Sequence, residues 1–359
     1  MKPPKISILL PVYNTGKYLL DCLSSIQFQT FSDFECICIN DGSTDNSLAI
    51  LEQVGASDSR FRIISQENSG QAASLNRGIS LAKGEFLIFV DSDDLLLENS
   101  LRILHEAALA YDADLIYGDF EEIEDNYLLN SYSAGISNES ILPSVISFSP
   151  LEDWLDGRIK VNPETWGKLI RVNLIADFVF PLDQYLHVDT LFNPFLLSGS
   201  NKTIRIESVI YKYRLRMGSM IRSNRDIEAL DEISKNFLKL LDFAKLNRLT
   251  NIQISALVNR CGLNYFLTLS EKNICNSYLS RRQRVVFNQN ASEFWRKLEI
   301  AGIADRLKTS LTRRILIFLC FNLRVPVVFY FLIKFFKKNE FLRIQEQVRR
   351  QSVSTILNT

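Results

Sequence analysis

Apolar residues in the first third of the chain follow two alternating rhythms. Short runs rich in β-branched and aromatic residues, "KISILLPV" (5–12), "FECICIND" (34–41), "RFRIIS" (60–65), "GEFLIFVD" (84–91) and "ADLIYGD" (113–119), read as strands. Between them, apolar positions recur at helical spacing and predict helices over about Lys17–Phe28 and from Asn46, Gln71 and Glu98. Strand and helix alternating in units of roughly thirty residues predict an α/β fold, a mainly parallel sheet flanked by helices. Polar clusters follow four of the strands: "PVYN", "NDGSTD", "QENSG" and "DSDD". Ligands of open parallel sheets bind beyond the carboxyl ends of the strands, so these loops are expected to meet at one cleft.

From about Tyr127 to Ser149 the sequence turns polar and irregular and predicts a loop near that cleft. Apolar periodicity returns over 154–175 and 180–197, a further strand is expected at 204–216, and 226–299 has a helical pattern. These shifts divide the chain into a catalytic domain, 1–224, and a helical C-terminal region, 225–359. Residues 311–338 are the most hydrophobic stretch but contain Asn322, Arg324, Pro326 and Lys334. A bilayer span needs roughly 20 uninterrupted apolar residues. The segment is therefore expected to lie on a membrane rather than cross it, with its bases toward anionic lipid.

Charge narrows the options. Lys and Arg total 41, as do Asp and Glu, so the molecule as a whole offers no electrostatic case for nucleic acid. From Arg306 onward the only acids are Glu340 and Glu346, which makes the C-terminal end basic. The six cysteines form no CxxC pair and read as reduced core residues of a cytosolic protein. The apolar run before Pro11 is too short for a signal peptide, so the expected location is the cytoplasm, including the cytoplasmic face of the inner membrane. No strand is followed by G-x-G-x-x-G, no P-loop is present, and no His/Cys cluster suggests zinc.

The chemistry concentrates at "DSDD". Asp91, Asp93 and Asp94 end an apolar strand, where each charge disfavours ionisation of the others unless a cation offsets them. A divalent metal is the simplest offset; the alternative is a solvated acidic turn. Asp41 likewise has two readings, a ligand-binding acid or an Asx-turn residue leading into the next helix, with Ser43 or Asp45 as its cap.

"ISILLPVYN", "INDGSTDNS", "ENSGQAASLNRGISLAKGEFLIFVDSDD" and "LHVDTLF", in this order and spacing, resemble the family 2 glycosyltransferases over about the first 220 residues. Those are inverting enzymes of the GT-A fold that use nucleotide-diphospho-sugars. The resemblance implies Mn2+ or Mg2+ at Asp93, with Asp91 nearer the ribose and the metal's water shell. It implies a UDP-sugar donor whose uracil meets Asp41 and packs on Pro11, Val12 and Tyr13. Asn68 and Asn76 would lie beneath the nucleotide, Ser92 beside it, and Arg214, Arg216 and Ser219 over the phosphates. Trp166, Lys168 and His187 would line the acceptor side, and Asp189 would be the base that deprotonates the acceptor hydroxyl.

The sequence departs from the family pattern at Val188, where an acid is usual; the expected outcomes are compensation by Asp183 or His187, or a weak enzyme. Asp189 has a structural alternative as the cap of a helix beginning at Thr190. The implied acceptor is a saccharide or lipid-linked saccharide in surface polysaccharide synthesis. One sugar per encounter is expected, because the Q-x-x-R-W motif and transmembrane bundle of processive synthases are missing. Two other functions would use a similar fold: a non-catalytic nucleotide-sugar or glycan-binding relative, and a nucleotidyltransferase. The latter would need a basic or Gly-rich phosphate loop near the first strand, where the lone Gly16-Lys17 has no glycines around it.

Overall fold

The computed structural model describes residues 2–127, 142–182, 189–216, 236, 239–258 and 260–261. The chain divides into two compact units, Met1–Asn224 and Arg225–Thr359. In the first, strands β1 (Ile6–Val12), β2 (Phe34–Asp41), β3 (Phe61–Gln66) and β4 (Phe86–Phe89) lie in the order β3-β2-β1-β4, all parallel. Helices α1 (Gly16–Gln27), α2 (Ser47–Ser57) and α3 (Gln71–Leu81) connect them. From β1 the chain winds outward to β3, then returns to place β4 on the other side of β1. That reversal is the switch point at which such sheets open a crevice.

β1 is buried on both faces, which is why its sequence is a continuous apolar run. Ile6, Ile8, Leu10 and Val12 join a core with Leu19, Leu23 and Ile26 of α1 and with Leu101, Leu104 and Ala108 of α4 (Ser100–Tyr111). Leu9 faces the opposite side and α3, where a Cβ on Gly78 would lie 3.1 Å from Leu9 Cδ1.

Beyond β4 the sheet becomes mixed. β8 (Lys168–Arg171) runs antiparallel to β4 and to β6 (Leu115–Glu124). The long β9 (Thr203–Leu215) is parallel to β6 and antiparallel to the short β5 (Leu95–Leu96). A strand, β7 (Pro143–Ser147), also pairs with β9, correcting the expectation of an irregular loop up to Ser149. Its only fully buried residue is the polar Ser147, while Ile146 is exposed, so hydrophobic patterning gave no strand signal. Helices α5 (Pro150–Asp156) and α6 (Phe192–Gly199) and a 3-10 turn at Val172–Leu174 complete the unit's described elements.

In the second unit, residues 239–246 are helical and α7 spans Asn251–Val258. α7 starts at a reciprocal cap: Gln253 Oε1 accepts the Thr250 N–H at 2.9 Å, and Thr250 Oγ1 accepts the Gln253 N–H at 3.3 Å. Residues 311–338 lie outside the described residues. Among the described residues, no helix is long and apolar enough to cross a membrane.

Candidate active site

The three acids at the end of β4 separate into two roles. Asp94 is 1% exposed, and its Oδ1 accepts the Arg214 N–H at 2.8 Å. Its Oδ2 accepts the Tyr211 hydroxyl at 2.9 Å, and the same hydroxyl oxygen accepts the Asp91 N–H at 3.0 Å. Asp94 thus laces the loop to β9. The remaining carboxylates, Asp91 and Asp93, are half-buried. Burial and then the neighbouring charge of Asp93 raise the pKa of Asp91, while the charge of Arg216 opposes the rise. Asp189 and Glu164 also act on Asp91, and Glu164 acts on Asp189 in turn, so Asp91 lies within electrostatic reach of three other carboxylates.

Two expected phosphate ligands differ in placement. Arg216 is half-buried and its Nε bonds Asp93 Oδ2, beside the acids. Arg214 is only 2% exposed. Its Nε donates to the Asp93 carbonyl at 2.8 Å, and its Nη1 donates to the carbonyls of Tyr127 and Asp125 at 2.7 and 3.2 Å. The guanidinium is therefore an internal clamp on main chain, correcting its expected position over the phosphates. Ser92 is also buried, accepting a hydrogen bond from Thr15 Oγ1 at 2.9 Å, rather than open to a nucleotide. Ser219 lies outside the described residues.

On the β1 side, Val12 is buried, Pro11 half-buried and Tyr13 50% exposed at the strand's carboxyl end. Asp41 meets neither of its two readings in full. The Asx turn belongs to Asn40, whose Oδ1 accepts the Ser43 N–H at 3.2 Å. Asp45 serves the helix start, its Oδ1 accepting the Ser47 N–H at 3.0 Å. Asp41 itself is 3% exposed and accepts from Gln66 Nε2 at 2.7 Å, Ser69 N at 2.9 Å and Gly70 N at 2.8 Å. A carboxylate offers about four lone-pair positions, so its first task is to hold the 67–70 loop against the sheet. Gly42 permits this closeness: its φ is +69°, and a Cβ there would lie 2.8 Å from the Asn68 nitrogen. Asn68 is exposed on that loop. Asn76, expected beneath the nucleotide, instead exchanges two hydrogen bonds with the main chain of Phe180, at 2.9 and 2.8 Å.

The segments expected on the acceptor side meet at Phe89, two residues before Asp91. Its ring packs edge-on against Phe180 and Phe192, with centroids 5.9 and 5.5 Å away, and its carbonyl accepts the Gly167 N–H at 3.3 Å. Phe192 opens α6, and its N–H donates to the Asp189 carbonyl at 3.0 Å. The end of β4 thereby carries both the acidic loop and the segment holding Asp189. Asp189 is not the helix cap, a position taken by Leu191. Burial, then the charge of Glu164, raise its pKa to about 6, with Lys168 opposing.

Lys168 is 1% exposed, and burial lowers its pKa to about 8 against the raising effect of Glu164 and Asp189. Its amine donates to the Glu164 carbonyl. Lys168 therefore supports the site from beneath instead of lining it. Trp166, expected to face the acceptor, is 4% exposed and stacks on Tyr211 with centroids 4.3 Å apart and on Tyr213 at 5.5 Å. His187, Val188 and Asp183 lie outside the described residues. Glu164 escaped the sequence reading: it stands in the unremarkable run "NPETWGK", and its only local signal is an acid within a segment of family-like pattern.

The donor set suits a hard cation that substrate completes. Among the described residues no group of three or more His, Cys, Asp or Glu side chains is placed to hold a metal alone. Mg2+ and related ions are commonly bound by one or two carboxylates together with substrate phosphates, and Asp91 and Asp93 fit that pattern.

Comparison with known proteins agrees with this architecture. Residues 7–165 match Glycosyl transferase family 2. Glycosyltransferase GlyG of Streptococcus pneumoniae is 34% identical over 238 residues, 65% of this chain and 78% of that protein. Putative glycosyltransferase EpsH of Bacillus subtilis is 32% identical, over 62% of this chain and 64% of its own. Among solved structures, S. aureus TarS 1–349 in complex with UDP-GlcNAc superposes with a TM-score of 0.69 at 19% identity, covering 93% of this chain and 92% of that one. The likeness to TarS extends the fold past the family match, and the sequence identity to GlyG supplies the kinship: the chain belongs to the family 2 glycosyltransferases, with their GT-A architecture.

Proposed function

We propose that this glycosyltransferase transfers one sugar at a time from a UDP-sugar to a hydroxyl of a saccharide or lipid-linked saccharide, with inversion. The observation that carries the reading is the arrangement around Phe89, which brings "DSDD" and Asp189 to the end of one strand. A base and a leaving-group site must flank the anomeric carbon for in-line displacement, and these elements can do so. The TarS structures that share the fold hold UDP and UDP-GlcNAc, which supports a uridine nucleotide as donor.

In this reading the base stacks by Tyr13 at the end of β1, above the loop that Asp41 fastens. Asp93 and Asp91 would hold Mn2+ or Mg2+, which when bound would neutralise charge developing on the departing diphosphate. Arg216 adds a guanidinium whose planar fork suits phosphate oxygens. Asp189, with its raised pKa, takes the proton from the acceptor hydroxyl as that oxygen attacks. The basic, apolar segment 311–338 supplies a peripheral contact with the cytoplasmic membrane face, where a lipid-linked acceptor of a surface polysaccharide would be presented.

The test is nucleotide release by the purified chain from a panel of UDP-, GDP- and dTDP-sugars, with Mn2+ or EDTA. Metal-dependent release from one UDP-sugar is expected, lowered about a hundredfold or more in Asp189→Asn. Binding of UDP without any release sensitive to Asp189 would favour a non-catalytic relative.

A further inference from the structure

We propose that Glu164 is a sugar-hydroxyl ligand in the reaction centre, a second acid working beside Asp189. The inference rests on the glycosyl-transfer reading above and names a residue that neither the motifs nor the expected site contained. Its loop is pinned from two sides. Asn193, the second residue of α6, donates from Nδ2 to the carbonyls of Asn162 and Pro163, both at 2.8 Å. From beneath, the buried amine of Lys168 donates to the Glu164 carbonyl. Asp189 is bonded to the same first turn of α6 through its own carbonyl. The segments carrying Glu164 and Asp189 are therefore both hydrogen-bonded to the first turn of α6.

The carboxylate of Glu164 offsets part of the charge of the buried Lys168, but among the described residues it makes no hydrogen bond to match this support. Its Oε2 is shielded from solvent and has no hydrogen-bond partner among the described residues. A desolvated acceptor without a donor costs free energy, more so when charged. Lys168 does not relieve it by hydrogen bond, since the bond it makes there is to the main-chain oxygen. A sugar hydroxyl supplies the missing neutral donor, and sites built to bond a hydroxyl discriminate strongly against sugars lacking it. The charge of Glu164 also helps raise the pKa of Asp189, second only to burial, which ties the two acids functionally.

The experiment uses the full chain, with Glu164→Gln and Glu164→Ala compared with wild type. Calorimetry with UDP and with UDP-GlcNAc in Mn2+ is combined with the pH dependence of UDP release. UDP affinity is expected to stay unchanged in both variants. If the hydroxyl belongs to the donor sugar, the extra affinity of UDP-GlcNAc over UDP falls about tenfold or more. If it belongs to the attacking group, that difference stands while release slows about tenfold and the acid limb of its pH profile moves lower in Glu164→Gln, because Asp189 loses a negative neighbour. Variants that match wild type in both measurements overturn the role of Glu164 and leave the donor reading intact. A fall in affinity for UDP itself in both variants would mean a merely structural loop residue and also overturn it. Wild-type protein that binds no UDP removes the reading beneath it, and the inference with it.

Discussion

Tyr211→Phe removes one oxygen atom from the hinge of the acidic loop. That hydroxyl donates to Asp94 Oδ2 at 2.9 Å and accepts the Asp91 N–H at 3.0 Å, while the ring stacks on Trp166. Phenylalanine keeps the stack and deletes both bonds. A hydrogen bond to a charged group contributes roughly 1.5–3 kcal/mol, and an N–H left unsatisfied costs roughly 1–3 kcal/mol. Asp91 is half-buried, so water can reach part of the gap, and the lower ends of the two ranges apply. The expected loss is about 2.5 kcal/mol, or roughly 5–10 °C in Tm for a unit of this size. Tyr213→Phe is the control, because its ring stacks on the same Trp166 and its hydroxyl makes no hydrogen bond among the described residues. The measurements are urea and thermal denaturation of both variants, followed by UDP titration in Mn2+. Tyr211→Phe should lose stability and bind UDP more weakly, because Asp91 and Asp93 are no longer held in register; the control should stay within about 0.5 kcal/mol of wild type. Equal stability and equal UDP affinity in the two variants would refute the lacing role assigned to Tyr211.

Asp41→Asn places an amide donor among three donors, at Gln66, Ser69 and Gly70, and should cost roughly 1–3 kcal/mol. Hydrogen exchange at the Ser69 and Gly70 amides should quicken, whereas unchanged protection would remove Asp41 as the loop's anchor. Asn76→Ala strands the buried N–H and carbonyl of Phe180 and is expected to lower the urea midpoint by an amount equivalent to about 2–4 kcal/mol; a neutral effect would contradict the pairing. The proposed base, Asp189, must be ionised to act and its pKa is raised to about 6, so turnover should rise with pH and reach half its plateau near pH 6. A midpoint near the ordinary aspartate value of about 3.9 would show that burial and Glu164 do not perturb it as described.

The parallel half of the sheet was legible because its determinants are local. Runs such as "FECICIND" are buried on both faces and announce strands directly, and the polar clusters after them mark strand ends. Roles that depend on distant partners were not legible. An Arg in "YRLR" reads the same whether it meets phosphate or, as Arg214 does, the carbonyls of Asp125 and Tyr127. Asn76 resembles a nucleotide-facing amide until Phe180, on a remote segment, is seen to use both its ends. The Asx turn moved one residue, from Asp41 to Asn40, because both acceptors sit at the end of β2 and sequence cannot say which carboxyl or amide turns inward. Glu164 was missed for the converse reason: its significance lies in a missing partner, which only three dimensions reveal.

The central claim is that the end of β4 and its neighbouring loops form a metal-assisted site for a uridine diphosphate. Calorimetric titration of UDP into wild type and Asp93→Ala, each in Mn2+ and again in EDTA, addresses it most directly. The account predicts tight binding by wild type only with the metal, and loss of that metal dependence in Asp93→Ala. Binding that is equally strong in EDTA, or unchanged by the substitution, would contradict it.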